Sequence, residues 1–161
     1  KQITMKKLIV TALVLIGSGF TAQSQEISKN VLGLRLGDNN GFGTEISYQR
    51  GLSDNNRIEA NLGWRNNHNV SAFKLTGIYQ WIWEIDNSFN WYAGAGAGLG
   101  SWSATDKSGS FLFVAGNVGI EYNLKDLPLL ISLDYRPEFG GHGYFDNNYG
   151  SDVALGIRYK F

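Results

Sequence analysis

From residue 30 to the C-terminus, apolar and polar side chains alternate with a period of two, in about eight runs: 30–38, 42–50, 57–65, 70–83, 89–100, 110–122, 129–137 and 150–161. A two-residue period sends successive side chains to opposite faces of an extended strand, so each run predicts a strand with one greasy and one polar face. Between the runs lie segments such as "GLSDNN", "NNHN", "EIDNS", "SWSATDKSG", "NLKDLP" and "EFGGHGYFDNNY". All are dense in residues that favour turns. No stretch after the N-terminal segment sustains a 3.6-residue apolar period, which disfavours helical bundles and spanning helices.

Sorting the runs by parity yields one continuous apolar face. It carries Leu32, Leu34 and Leu36, then Phe42, Ile46 and Tyr48, then Ile58, Leu62 and Trp64, then Phe73, Leu75, Tyr79, Trp81 and Trp83. Later runs add Trp91, Leu99, Leu112, Val114, Val118, Ile120, Tyr122, Leu129, Ile131, Leu133 and Tyr135. Val153, Leu155, Ile157, Tyr159 and Phe161 complete it. The other parity collects Arg35, Glu45, Glu59, Arg65, Lys74, Glu121, Asp134, Arg136, Arg158 and Lys160.

Soluble barrels also alternate, but they turn the apolar face inward. Three features predict the reverse here. Tyr48, Trp81, Trp83, Phe89, Trp91, Tyr122, Tyr159 and Phe161 fall at one end of their runs, with aliphatic residues towards the middle. This is the distribution of an aromatic girdle at a membrane interface. In "YAGAGAGLG", Gly94, Gly96, Gly98 and Gly100 share the polar parity, a small-residue wall expected to leave room for long side chains from across a lumen. The charges of the polar parity are mixed in sign, as an internal network requires, because an unpaired buried charge is costly. The expected fold is therefore all-β: a closed eight-stranded antiparallel up-and-down transmembrane β-barrel, apolar outside, with a polar filled lumen. Runs of this length suffice to cross a membrane at a tilt.

The beginning of the chain adds location. Met5-Lys6-Lys7 precedes the apolar run "LIVTALVLIGSGF" and then "TAQSQE", where Ala22 and Ser24 are the small residues a signal peptidase reads. Residues 1–24 are expected to be a signal peptide, with 1–4 an upstream artefact of translation start, and 25–161 the barrel domain. Removing Lys1, Lys6 and Lys7 leaves 11 basic against 14 acidic residues, a formal charge of −3. No basic patch remains, so no nucleic-acid partner is expected. With no cysteine there is neither a disulfide framework nor a thiol nucleophile, and no cofactor or metal site is expected. Short second, fourth and sixth connections read as periplasmic turns, which places both termini in the periplasm and "SWSATDKSG" and "EFGGHGYFDNNYG" outside the cell.

Signal peptide, eight amphipathic runs and the terminal "GIRYKF" together resemble the small outer-membrane β-barrels of Gram-negative bacteria, the OmpA/OmpX-like family. The resemblance implies outer-membrane lipids and lipopolysaccharide as surroundings. It also implies that the barrel-assembly machinery reads Val153, Leu155, Ile157, Tyr159 and Phe161 as its signal. It says little about activity, since such barrels host several functions.

Three functions compete. The first is a non-enzymatic structural, surface-binding or adhesion role through outer loops, for which Phe139, His142, Tyr144, Phe145 and Tyr149 form a candidate ligand-binding loop with an unknown extracellular ligand. The alternative for these rings is an upper aromatic belt. The second is a lipid-modifying enzyme of the lipid A acyltransferase or deacylase type, which needs a His and a Ser near the outer leaflet. Only His68 and His142 are present, and Ser71, three residues from His68, points to the opposite face of a strand. No catalytic residue is assigned. The third is a small pore, which a filled eight-strand lumen disfavours.

Overall fold

The structure, a computed structural model, describes residues 27–37, 43–141 and 149–161. The expected signal peptide lies outside the described residues. Eight strands follow in order: β1 (Asn30–Leu36), β2 (Thr44–Gly51), β3 (Asn56–Asn67), β4 (Val70–Glu84), β5 (Phe89–Ala104), β6 (Ser108–Asn123), β7 (Leu129–Gly140) and β8 (Tyr149–Lys160). Each pairs antiparallel with the next, and β8 pairs with β1 to close the barrel. Closure removes the unpaired sheet edge that hydrocarbon does not tolerate. Among the described residues no helix is long and apolar enough to cross a membrane, and the crossing elements are strands.

The register is staggered. A circuit of paired residues begun at Leu32 passes through Tyr48, Ala60, Gly77, Ala97, Val114 and Phe139 to Tyr149. Leu32 itself faces Tyr159, which is 10 residues further along β8 than Tyr149. That offset tilts the strands by roughly 40° from the barrel axis. The last residue takes part in the seam, with the Phe161 N–H donating to the Asn30 carbonyl at 2.9 Å.

The wall is tallest at β5 and β6, with 16 residues each, and lowest at β1, with 7. The segment "SWSATDKSG", expected as an outer connection, instead continues this hairpin. Ser101 faces Ser110 and Ser103 faces Ser108, leaving 105–107 as the turn. β7 likewise runs to Gly140 rather than stopping at 137. It ends there because Gly140 adopts φ 141°, a conformation other residues resist. A Cβ at Gly140 would also stand 2.6 Å from the Leu112 carbonyl oxygen. Pro137, lacking an N–H, interrupts the β6–β7 ladder between the Ala115–Glu138 and Val118–Tyr135 pairs. Its ring sits against Gly116 on the outer face.

The polarity of the wall is inverted relative to a soluble barrel. Leu34, Leu133 and Ile157 are 44%, 49% and 44% exposed, while their chain neighbours Arg35, Asp134 and Arg158 are 1%, 3% and 1% exposed. At the end that carries Ile27 and Phe161, here the lower end, Trp81, Phe89, Tyr122, Tyr159 and Phe161 stand outward. Trp83 stacks on Trp91 at 4.3 Å between ring centres. Trp64, Phe73, Phe139 and Tyr149 form a second set of exposed rings towards the upper end. Between the two sets the outer face is mainly Leu, Ile, Val and Ala.

Candidate functional site

The lumen gathers inward side chains from all eight strands, because strict alternation leaves every second residue nowhere else to go. In its upper part Arg35 is the hub. Its Nε donates to both Asp134 oxygens at 3.1 Å, and its Nη1 donates to Asp152 at 2.6 Å and to Glu45 at 3.1 Å. Arg136 reaches Glu45 at 2.6 Å and Glu138 at 3.2 Å. Lys74 donates to Glu138 at 2.9 Å. Below this layer, Arg158 donates to Ser47 at 2.9 Å and to Ser132 at 2.6 Å, and lies 3.4 Å from Glu59. Gln49 and Asn61 complete the shell of Glu59 at 2.6 and 2.8 Å. Lower still, Arg57 pairs with Glu121 at 2.7 Å, donates to Gln80 at 2.6 Å and lies over the Tyr92 ring at 4.9 Å.

Of the charges assigned to the lumen from sequence, Arg35, Glu45, Glu59, Lys74, Glu121, Asp134, Arg136 and Arg158 lie in this buried set. Arg65 and Lys160 do not. Arg65 is half-buried near the upper rim, and Lys160 is half-buried at the lower mouth, where it donates to Asn123 at 3.4 Å. Both sit at strand ends, where an inward parity points into the opening rather than the filled interior. Three members escaped the sequence reading: Arg57, Glu138 and Asp152. Arg57 and Asp152 share the polar parity of their runs, so the signal was present. Glu138 opens the segment "EFGGHGYFDNNY", which the pattern reads as a connection rather than a strand.

The glycine wall has different occupants from those expected. The space beside Gly98 and Gly100 is filled by the rings of Phe113 and Phe111 from the adjoining strand β6, not by long side chains from across the lumen. Ile78 of β4 lies in the space beside Gly94, and at Gly96 the backbone of Gly77 and Ile78 comes too close for any side chain. Ile78, Phe111, Phe113 and Ala115 form an apolar cluster inside the barrel, with Trp102 packed against it. Ion pairs and rings thus divide the middle of the lumen between them.

The candidate ligand-binding loop also changes. Phe139 and Tyr149 are not loop residues. They face each other across β7 and β8 on the outer wall, with ring centres 5.1 Å apart, and the Tyr149 hydroxyl meets that of Tyr135 at 2.8 Å. His142, Tyr144 and Phe145 lie outside the described residues. His68 is exposed at the β3–β4 turn, and the Ser71 hydroxyl donates to Asn66 at 3.2 Å. Val153, Leu155, Ile157, Tyr159 and Phe161 all stand outward along the closing strand.

The sequence matches no protein-family model and no curated protein. Solved structures do match. The N-terminal β-barrel domain of OprF from Pseudomonas aeruginosa superposes with a TM-score of 0.65 at 12% identity, covering 83% of this chain and 98% of that one. Neisserial surface protein A gives 0.59 at 14%, covering 82% and 94%. Ail, the attachment invasion locus protein of Yersinia pestis, gives 0.52 at 16%, covering 83% and 97%. Designed transmembrane β-barrels are similar as well, with a TM-score of 0.55 at 18% identity, over 86% of this chain and all of the other. The chain therefore has the fold of the small eight-stranded transmembrane β-barrels. At these identities the likeness is one of architecture.

Proposed function

We propose that this protein is an integral, non-enzymatic component of the outer membrane of a Gram-negative bacterium, with a structural or surface-binding role exercised at its upper end. The observation that carries this reading is the inverted wall: exposed leucine and isoleucine beside buried arginine and aspartate on consecutive residues, between two sets of aromatic rings. Such a surface is stable only in hydrocarbon. The termini lie in the periplasm and the β3–β4 and β5–β6 turns at the cell surface. This orientation is supported by the two longest connections, β1–β2 and β7–β8, which both lie at the upper end, and by the resemblance of the last strand to an assembly signal. Among the similar structures one is a Neisserial surface protein and another the attachment invasion locus protein of Yersinia pestis, which supports a role at the cell surface.

Because the chain contains no cysteine, single thiols report orientation cleanly. Asp106→Cys, in the β5–β6 turn, should react with a membrane-impermeant maleimide on intact cells. Asp54→Cys, in the β2–β3 turn, should react only after lysis. Labelling of Asp54→Cys but not Asp106→Cys on intact cells would reverse the orientation, and recovery of the protein in the soluble fraction would remove the membrane assignment.

A further inference from the structure

At the upper end of β3–β6 the polarity of the wall reverses. Three cross-strand rows follow one another upward on the outer face. The first is Leu62, Leu75, Leu99 and Leu112. The second is Trp64, Phe73, Ser101 and Ser110, and the third is Asn66, Ser71, Ser103 and Ser108. On the inward parity of β4 and β5 the same stretch carries Val70, Ala72, Trp102 and Ala104 in place of the ion pairs below. Apolar inside and hydroxyl outside is the arrangement of a sheet that has left hydrocarbon. The change is complete within two residues on β5 and β6, so it marks the upper edge of the hydrocarbon layer to within roughly 5 Å.

We infer that this outer face, from Trp64 and Phe73 up to Ser103 and Ser108, binds the uncharged sugar rings of an outer-leaflet glycolipid. The inference rests on the reading that the upper end faces outward from the cell, and it names what the wall meets there.

Continuity with the lipid-facing wall positions the occupant. A lipid whose acyl chains lie against Leu75, Leu99 and Leu112 carries its headgroup roughly 5–10 Å higher, level with the two upper rows. The charge pattern then defines the headgroup. No charged side chain belongs to either upper row; Arg65 has the inward parity, and Asp106 and Lys107, in the turn above, are opposite in sign. A face built for phosphate would carry Arg or Lys.

What the face offers is hydroxyl, carboxamide and ring. Ser71, Ser103, Ser108 and Ser110 are exposed, and Ser71 donates to Asn66 at 3.2 Å. The hydroxyls of Ser101, Ser103, Ser108 and Ser110 have no hydrogen-bond partner among the described residues. A hydroxyl both donates and accepts, which matches the hydroxyl rim of a pyranose. Trp64 and Phe73, 52% and 44% exposed in the same row as Ser101 and Ser110, present apolar ring faces to its C–H side. A face that only met water would need neither the rings nor the exclusion of charge.

The test uses the folded barrel in phosphatidylcholine nanodiscs, with heat-modifiable gel mobility as the control for folding and the amide chemical shifts of residues 101–110 as the readout. Digalactosyl diacylglycerol, an uncharged glycolipid, should shift these amides saturably as its mole fraction rises. Phosphatidylglycerol, charged and without a sugar, should not. Combining Ser101→Ala, Ser103→Ala, Ser108→Ala and Ser110→Ala leaves the backbone pairing in place and should weaken the apparent affinity about 10-fold. Trp64→Leu keeps the wall apolar and should weaken it too, whereas Ser53→Ala, in the β2–β3 turn at the lower end, should behave as the parent. The inference fails if the shifts do not saturate, if phosphatidylglycerol reproduces them, or if the alanine variant binds like the parent. It also fails if free lactose produces the same shifts as tightly as the glycolipid, which would assign the face to a soluble sugar. Nanodiscs hold the glycolipid in both leaflets, so failure here leaves the thiol-labelling result standing, and reversed labelling with sugar binding intact would overturn the orientation and the outer-leaflet assignment together.

Discussion

Arg35 and Asp134 lie 99 residues apart in the chain and meet as a bidentate pair inside the lumen, joining β1 to β7 across the interior. Arg35 also serves Glu45 and Asp152, so one guanidinium contacts three carboxylates drawn from β2, β7 and β8. The pair and its neighbours are worth less than their number suggests, because burying charge costs nearly as much as pairing it returns. Removing one member is a different matter.

The network is therefore asymmetric to mutation. Arg35→Met takes the bidentate cation from Asp134 and one cationic partner each from Glu45 and Asp152, and should cost about 3–5 kcal/mol. Asp134→Asn leaves Arg35 with Glu45 and Asp152, keeps a hydrogen-bonding group in place, and should cost about 1–2 kcal/mol. Urea titration of tryptophan fluorescence in micelles gives both numbers. Equal losses would mean that Arg35 is not the hub.

The rings over the glycine wall form a second coupled unit. A Cβ at Gly98 would collide with the Phe113 ring, so Gly98→Ala should destabilise the barrel by about 1–3 kcal/mol through overpacking. Phe113→Ala should cost about 3–5 kcal/mol through the cavity it leaves. Combined, the two changes should cost clearly less than their sum, since the new methyl occupies space the ring has vacated. A strictly additive pair in the same urea titration would separate Gly98 from Phe113.

Much of this could be read from the chain. Strict alternation locates every strand to within a few residues, parity puts Arg35 and Leu34 on opposite faces, and the aromatic girdle, the glycine wall and the mixed charges put Arg35 inside. What escaped has physical causes. The stretch Phe111–Ala115 is apolar on both parities, so period-two reasoning could not reveal that Phe111 and Phe113 face a lumen otherwise rich in charge. Pro137 reads as a terminator, yet its missing N–H breaks only the ladder to β6 while pairing with β8 continues, and this carries Glu138 into the lumen. Arg65 and Lys160 have the inward parity but sit at the rims, and height along a tilted strand depends on register, which no local pattern encodes.

The lipid-facing wall makes a depth-dependent prediction. Leu62 is flanked across the sheet by Ile46 and Leu75, in the aliphatic belt between the two sets of rings. Leu62→Arg should cost about 2–4 kcal/mol, because the guanidinium must be held in hydrocarbon. Leu52→Arg, in the β2–β3 turn, should change stability by less than about 1 kcal/mol. Folding into phosphatidylcholine vesicles, scored by heat-modifiable gel mobility across a urea series, compares the two. If both variants fold as readily as the parent, Leu62 does not face lipid.

Phe161 allows the stability and assembly roles of the last strand to be separated. Its N–H donates to Asn30 across the seam, and its ring lies 6.3 Å from that of Tyr159 on the outer face. Phe161→Ala keeps the backbone bond and loses only an exposed ring at the end of a strand, so refolding in detergent should change little, by about 1 kcal/mol or less. If this ring is read during assembly, as the resemblance of the last strand implies, the same substitution should sharply lower the amount of folded barrel in cells. Val153→Ala, higher on the same outward face, should lower it less. The decisive comparison is folded yield from membranes against refolding yield from urea for the same variant. A parallel loss in both would reduce Phe161 to a packing residue at the seam, whereas loss in cells alone would make it a recognition residue.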